Sequence, residues 1–155
     1  MMTSLCCEVL KRLKGKTLVT AESCTGGGIG AALTAISGSS RVFKGGIISD
    51  CNEVKETILG VDGAVLREIG PVSEEVAVQM AQGAKRILAA DVAVSVTGLA
   101  GSEGDEYGNP PGCVCIGYCD ERCCVSQRHY FHGDRESVRT QAITAALRLV
   151  LNYNP

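Results

Sequence analysis

In the stretch 91–98, DVAVSVTG, the valine-rich run from Val92 to Val96 is interrupted only by Ser95. A strand with one wet face alternates apolar and polar residues, so a near-continuous run rich in valine marks a strand covered on both sides. That requirement calls for helices above and below a sheet. At 155 residues the chain can form one domain over 1–155 with a substantial core. The neighbouring segments supply the layers. Residues 1–16 place Leu5, Val9, Leu10 and Leu13 on one helical face. Thr17–Ala21 reads as a strand, GGIGAALTAI as a helix with Ile29, Leu33 and Ile36 on one side, and VFKGGIIS as the next strand with a bend at Gly45 and Gly46. NEVKETILGV begins a helix with Asn52 as N-cap. Ser73 opens a longer helix whose apolar face is Val76, Met80, Ala84, Ile87 and Leu88. CVCIGYCD and CCVSQRHYF read as an antiparallel hairpin across DER, and DRESVRTQAITAALRLVLNY as a closing helix. The fold class is therefore α/β: a three-layer α/β/α domain with a mixed sheet that includes a C-terminal antiparallel hairpin.

Charge narrows the function. A formal net charge of −2, with lysines and arginines scattered, provides no basic face for nucleic acid. No apolar run reaches the ~18 residues of a membrane span, and the first segment lacks the continuous apolar core of a signal peptide. The expected location is the cytoplasm. Apolar helices in a small domain leave a homo-oligomer open. Nine cysteines, an odd number, argue against a complete disulfide framework. Cys113, Cys115, Cys119, Cys123 and Cys124 lie near His129 and His132 but contain no C-x-x-C, so reduced cysteines acting as small hydrophobes are preferred over zinc.

The chemistry-bearing stretch is 20–30, TAESCTGGGIG. Glycine costs a helix interior about 1 kcal/mol relative to alanine, so four of them near a helix start require a reason. Gly26, Gly28 and Ala31 match the dinucleotide pattern G-x-G-x-x-A, with Asp50 near the end of the following strand. Yet four polar residues separate the strand from the glycines, and the later hairpin breaks a doubly wound parallel sheet. A Walker loop is excluded because no Gly-Lys-Ser/Thr follows. Ser23 sits where a strand turns into a helix, a junction that aims backbone N–H groups at one point. It is either a nucleophile, or Ser23 or Thr25 is an ordinary helix cap.

AESCTGGGIGAALTAISGSSRVFKGGIIS, CNEVK, GPVSEEVAVQMAQGA, AVSVTGLAG and GDRESVR…AALRLV follow one another in this order. This succession resembles the CinA C-terminal-domain family, the nicotinamide-nucleotide amidases, over nearly the whole chain, and implies the stand-alone form. The resemblance implies hydrolysis of the carboxamide of nicotinamide mononucleotide to nicotinate mononucleotide and ammonia, in pyridine-nucleotide salvage. It implies Ser23 as nucleophile, Lys55 of CNEVK as its base, a small-molecule nucleotide substrate, and no metal or redox cofactor. By position, Thr25, Gly26 and Gly27 would supply backbone donors, while Thr97, Gly98 and Gly101 would wall the pocket under a loop running through Gly112. Arg139 is either a phosphate contact or a solvated helix residue.

The chain departs from that family at Asp50, which stands where a tyrosine of the catalytic group is usual, and at the neighbouring Cys51. An ionised carboxylate accepts hydrogen bonds but cannot donate a proton as a phenol does, and near Lys55 it favours the ammonium form. Ser102 and Asn109 replace a proline and a lysine in the glycine-rich loop, and Tyr107 is the one phenol there that could substitute. These departures keep two readings in play: an active amidase, and a homologue that binds a nucleotide or protein partner without hydrolysis.

Overall fold

The computed structural model describes all residues, Met1–Pro155. In chain order the elements are α1 (Met2–Arg12), β1 (Leu18–Glu22), α2 (Gly28–Thr34), β2 (Phe43–Ile48), α3 (Asn52–Thr57), α4 (Gly63–Glu68), α5 (Glu74–Ile87), β3 (Val92–Gly98), β4 (Cys113–Cys119), β5 (Cys124–Tyr130) and α6 (Arg135–Asn152). One mixed five-stranded sheet runs β2-β1-β3-β4-β5. β1 is parallel to both β2 and β3, and β4 is antiparallel to both of its neighbours, β3 and β5.

Strand alternation sorts the core into two unlike halves. Leu18, Val92, Val94, Val96, Val114, Ile116 and Tyr118 face α1, α2 and α6 in a bulky cluster that also holds Cys6, Ile29, Leu33 and Leu147. The opposite face carries small residues. Val19, Ala21, Ala93 and Cys119 meet Val76, Met80, Ala81 and Ala84 of α5. A Cβ on Gly83 would overlap the Leu59 carbonyl, and one on Gly117 would overlap the Ala77 carbonyl, to which the Ser95 hydroxyl donates. Helix α5 therefore lies close against β3 and β4 because no side chain holds it off.

Several local expectations are corrected. Asn52 is the first helical residue rather than the cap of α3; the cap position is Cys51, with no side-chain bond. Val76, Met80 and Ala84 are buried, but Ile87 is exposed, and Ala77, Ala81 and Gly83 are buried as well: Ala77 sits against Gly117 of the sheet and Gly83 against the Leu59 carbonyl, where only small residues fit. The sequence reading contained no α4, a single-turn element capped by the Asp62 side chain at 2.8 Å from Ala64 N. Ser73 does cap α5, accepting from Val76 N at 3.2 Å. Among the cysteines, Cys6, Cys113 and Cys115 are buried and free, whereas Cys119 and Cys124 form a disulfide as directly opposed residues of the hairpin. Cys113 and Cys115 face α5, while His129 shares the opposite face with Val114, so these thiols and that imidazole do not converge. No helix is long and apolar enough to cross a membrane.

The C-terminal end is anchored through a polar cluster at the hairpin. The buried Tyr118 hydroxyl donates to Asp120 Oδ2 at 2.7 Å and accepts from Asn154 Nδ2 at 3.0 Å. Arg122 bridges Asp120 and the Tyr153 carbonyl, and the rings of Tyr118 and Tyr153 stack at 5.1 Å. Burial alone would raise the Asp120 carboxyl, yet bonds from Tyr118 and the Arg122 and Cys123 N–H groups hold it down to about 2. A depressed folded-state pKa means that the unfolded chain binds more protons as the medium is acidified. Asp120 therefore contributes stability above pH ~4 that is lost as pH falls toward 2. Asp120→Ala is expected to cost about 2 kcal/mol at pH 7 and to flatten this acid dependence, measured by urea unfolding at pH 3 and 7.

Candidate active site

β1 and β3 lie side by side and parallel, but the chain leaves β1 for β2 through α2 on one face and returns to β3 through α5 on the other. Where connections diverge in this way, a crevice opens beyond the carboxyl ends of the strands. A cavity of about 430 Å³ occupies that place. Ser23 and Cys24 reach it from the end of β1, Thr97 and Gly98 from the end of β3, and Asp50 and Lys55 from the turn and helix after β2.

The end of β1 explains TAESCTGGGIG. Glu22 is 1% exposed, and its carboxylate collects four donors. The Thr25 hydroxyl and Ile29 N–H reach Oε1 at 2.6 and 2.9 Å, and the Thr20 hydroxyl and Gly30 N–H reach Oε2 at 3.0 and 3.1 Å. This side chain satisfies the first amide groups of α2, so neither Ser23 nor Thr25 is its cap. The N-terminus of α2, where a dinucleotide fingerprint would seat a pyrophosphate, is filled by the protein's own carboxylate. Gly26 and Gly27, at φ +59° and +97°, form the left-handed turn that brings the chain back onto Glu22. A Cβ on Gly28 would lie 2.6 Å from Ile143 Cδ1. The glycines thus serve a tight turn and close packing.

That turn leaves Ser23 at the cavity, 9% exposed, with its backbone N–H on Val96 O at 2.9 Å. Lys55 Nζ lies 3.1 Å from Ser23 Oγ and donates to the Ser49 carbonyl at 2.7 Å. Ser49 is itself held by its N–H on the Glu22 carbonyl at 2.7 Å, which ties lysine and serine to one strand end. Lys55 is 2% exposed, and burial lowers its pKa below the usual lysine range. The Asp50 carboxylate acts in the opposite direction, followed by Cys51 and Cys24, but burial outweighs them. Cys24 is no rival nucleophile: burial pushes its thiol up to about 11, so it stays protonated at neutral pH.

The remaining residues divide. Thr97, Gly98 and Gly101 line the cavity, with the Thr97 hydroxyl donating to Pro71 O at 2.8 Å. Thr25, Gly26, Gly27 and Arg139 do not line it. The Gly26 N–H is committed to Ser23 O at 3.0 Å, whereas the Cys24 N–H, beside the hydroxyl, has no protein acceptor. Arg139 has a different use from the phosphate contact considered for it. Its Nε and Nη2 donate to the Cys24 and Thr25 carbonyls, each at 3.1 Å, and brace the serine turn from α6. Tyr107 also lies elsewhere, with its hydroxyl 3.1 Å from Arg67 O at the end of α4. Sequence reasoning missed Glu22, Ser49, Glu103 and Arg135, the last two lining the cavity. Only Glu22 carried a signal, an acid ending an apolar strand just before a glycine turn.

The family model of the CinA C-terminal domain matches residues 2–154. The chain belongs to the CinA C-terminal domain family. It is 46% identical over 147 residues to a CinA-like protein of Picosynechococcus, a match covering 93% of this chain and 35% of that protein. A CinA-like protein of Salinibacter ruber is 45% identical, with 88% of this chain and 33% of that protein covered. The chain spans about a third of the length of these curated relatives. Among solved structures, a competence-damaged protein (CinA) superfamily protein from Escherichia coli superposes with a TM-score of 0.96 at 34% identity, covering 99% of this chain and 90% of that one. The competence/damage inducible protein CihA from Agrobacterium tumefaciens gives 0.94 at 34% identity, covering 99% and 96%.

Glu22→Gln places an NH2 group against donors that now meet a carboxylate oxygen. The expected result is a loss of about 2–4 kcal/mol, read from the urea midpoint, far more than for a surface Glu→Gln change.

Proposed function

We propose that the protein is an amidohydrolase that cleaves the carboxamide of nicotinamide mononucleotide to nicotinate mononucleotide and ammonia, a reaction that places it in the cytoplasm. The observation that carries this reading is the contact of Lys55 Nζ with Ser23 Oγ at 3.1 Å on a cavity wall, with the lysine buried. An amide carbon requires an activated hydroxyl, a base for its proton and a donor for the developing oxyanion.

With one N–H on Ser49 O, a neutral Lys55 presents its lone pair to Ser23. The lysine takes the hydroxyl proton as Oγ bonds to the carboxamide carbon, and the π electrons move to the carbonyl oxygen. The Cys24 N–H, adjacent to Ser23 in the chain and without a backbone acceptor, is the donor assigned to that oxyanion. Collapse breaks the C–N bond, and the lysine ammonium returns its proton to the departing nitrogen, which leaves as ammonia. Water then attacks the acyl-serine with Lys55 again as base, which releases the carboxylate and restores Ser23. Apolar Val72, Leu99 and Ala100 suit the flat face of a heteroaromatic ring. Arg135 is the cation on the lining that suits a phosphate.

Asp50 favours a second reading. Its carboxylate draws Lys55 toward the ammonium form, in which the lysine is no base. On this reading the cavity binds a nucleotide and leaves it intact.

Purified protein incubated with nicotinamide mononucleotide is expected to release ammonia, and Ser23→Ala to lower kcat by about 10³-fold or more. Activity rises with pH as Lys55 loses its proton. Asp50→Asn removes the main opposing charge, so the acid limb of kcat/KM should move to lower pH. Release that survives Ser23→Ala overturns the nucleophile assignment. Binding without release, with release gained in Asp50→Tyr, selects the second reading.

A further inference from the structure

Three charged side chains line the cavity around Ser23 besides the buried lysine: Asp50, Glu103 and Arg135. The ion pairs of the chain lie elsewhere, at Glu8–Arg12, Asp120–Arg122 and Glu74–Arg128. None of the three therefore has a charged protein partner within 4.0 Å. Asp50 lines the same cavity as the Ser23–Lys55 pair, from the turn between β2 and α3. Arg135 comes from the first turn of α6, and its guanidinium approaches Gly101 in the loop after β3.

An unpaired carboxylate beside the nucleophile opposes the chemistry twice. It favours the protonated lysine, and it repels the oxyanion that forms on the carbonyl oxygen as the amide carbon is attacked. Both effects vanish if the substrate brings a positive charge to Asp50. A carboxamide on a pyridinium ring does so, because the fixed charge of the ring lies within a few bonds of the reacting carbon. A neutral ring of the same shape brings no compensation. Apart from Lys55, the charged lining is two carboxylates against one guanidinium. That balance disfavours a purely anionic ligand and suits one that carries a cation near the serine and an anion near Arg135.

We propose that Asp50 is a specificity-determining residue that reads the fixed positive charge of the substrate ring, so that the cavity selects pyridinium carboxamides over neutral ones. This rests on the amide-hydrolase reading above and adds the substrate's charge class to it. Asp50 is exposed and makes no hydrogen bond within the protein, so its replacement disturbs no packing.

Binding to full-length protein carrying Ser23→Ala tests this without turnover. The probes are nicotinamide mononucleotide and its reduced dihydropyridine form, which share ribose, phosphate and carboxamide and differ in ring charge. Calorimetry should show the pyridinium form binding about 10-fold more tightly, the order expected for one charge pair at a partly solvated contact. Adding Asp50→Asn should bring the two within about 2-fold by weakening the pyridinium form alone, and Asp50→Glu should retain the preference. An unchanged ratio in Asp50→Asn overturns the proposal while leaving the amidase reading intact. A ratio that collapses in Glu103→Gln but not in Asp50→Asn removes the assignment from Asp50. Failure of both probes to bind overturns the nucleotide reading and this inference with it.

Discussion

A carboxylate buried at 1% exposure is costly unless its lone pairs find donors, and Glu22 finds four between Thr20 and Gly30. Meeting that demand dictates the path of everything between β1 and α2. The backbone must bend back through two left-handed glycines so that Thr25, Ile29 and Gly30 converge on one side chain. Ser23, next to Glu22 on a strand, consequently points to the other side and into the cavity. The Glu22 carbonyl holds Ser49, and Ser49 holds Lys55. Arg139 closes the ring from α6 by taking the Cys24 and Thr25 carbonyls. The glycines, the lysine and the distant helix are all fitted around one acid.

Two opposing electrostatic effects meet at Lys55. Removing an ammonium from water is worth several pKa units at full burial, whereas a carboxylate on a cavity wall remains screened by solvent. Here burial is the larger effect and Asp50 the lesser, so the lysine is displaced toward the neutral form even with a carboxylate on the same cavity. The departure at position 50 changes the charge of the cavity more than it changes the serine–lysine contact. That contact is fixed by Ser49 and the walls around it.

Much of the architecture could be read from periodicity. The apolar run 91–98 demanded cover on both faces, and β3 is buried along nearly its whole length between α5 and the layer of α1, α2 and α6. The errors have separate physical causes, each set by a contact distant in sequence. Ile87 fits a helical stripe but is exposed, whereas Ala77, against Gly117, and Ala81, in the cluster with Ala93, are buried between α5 and the sheet. Cys119 and Cys124 read as two small hydrophobes until hairpin register set them opposite each other. Tyr107 and Arg139 looked available for a ligand, and both are committed to backbone carbonyls far away in sequence.

By itself the sequence determined the layers, the strand-to-helix junction at Ser23 and the pairing of that motif with CNEVK, because these are carried by local patterns of apolar spacing and residue type. It could not decide which polar groups spend their hydrogen bonds inside the protein. Thr25, Arg139 and Tyr107 do so, and Asp50, Glu103 and Arg135 do not. A side chain is free for a ligand only if no backbone group claims it first, and the claimants lie up to 115 residues away. Tertiary packing alone settles that, since it brings α6 to the turn after β1, and the loop after β3 to the end of α4, at hydrogen-bond distance.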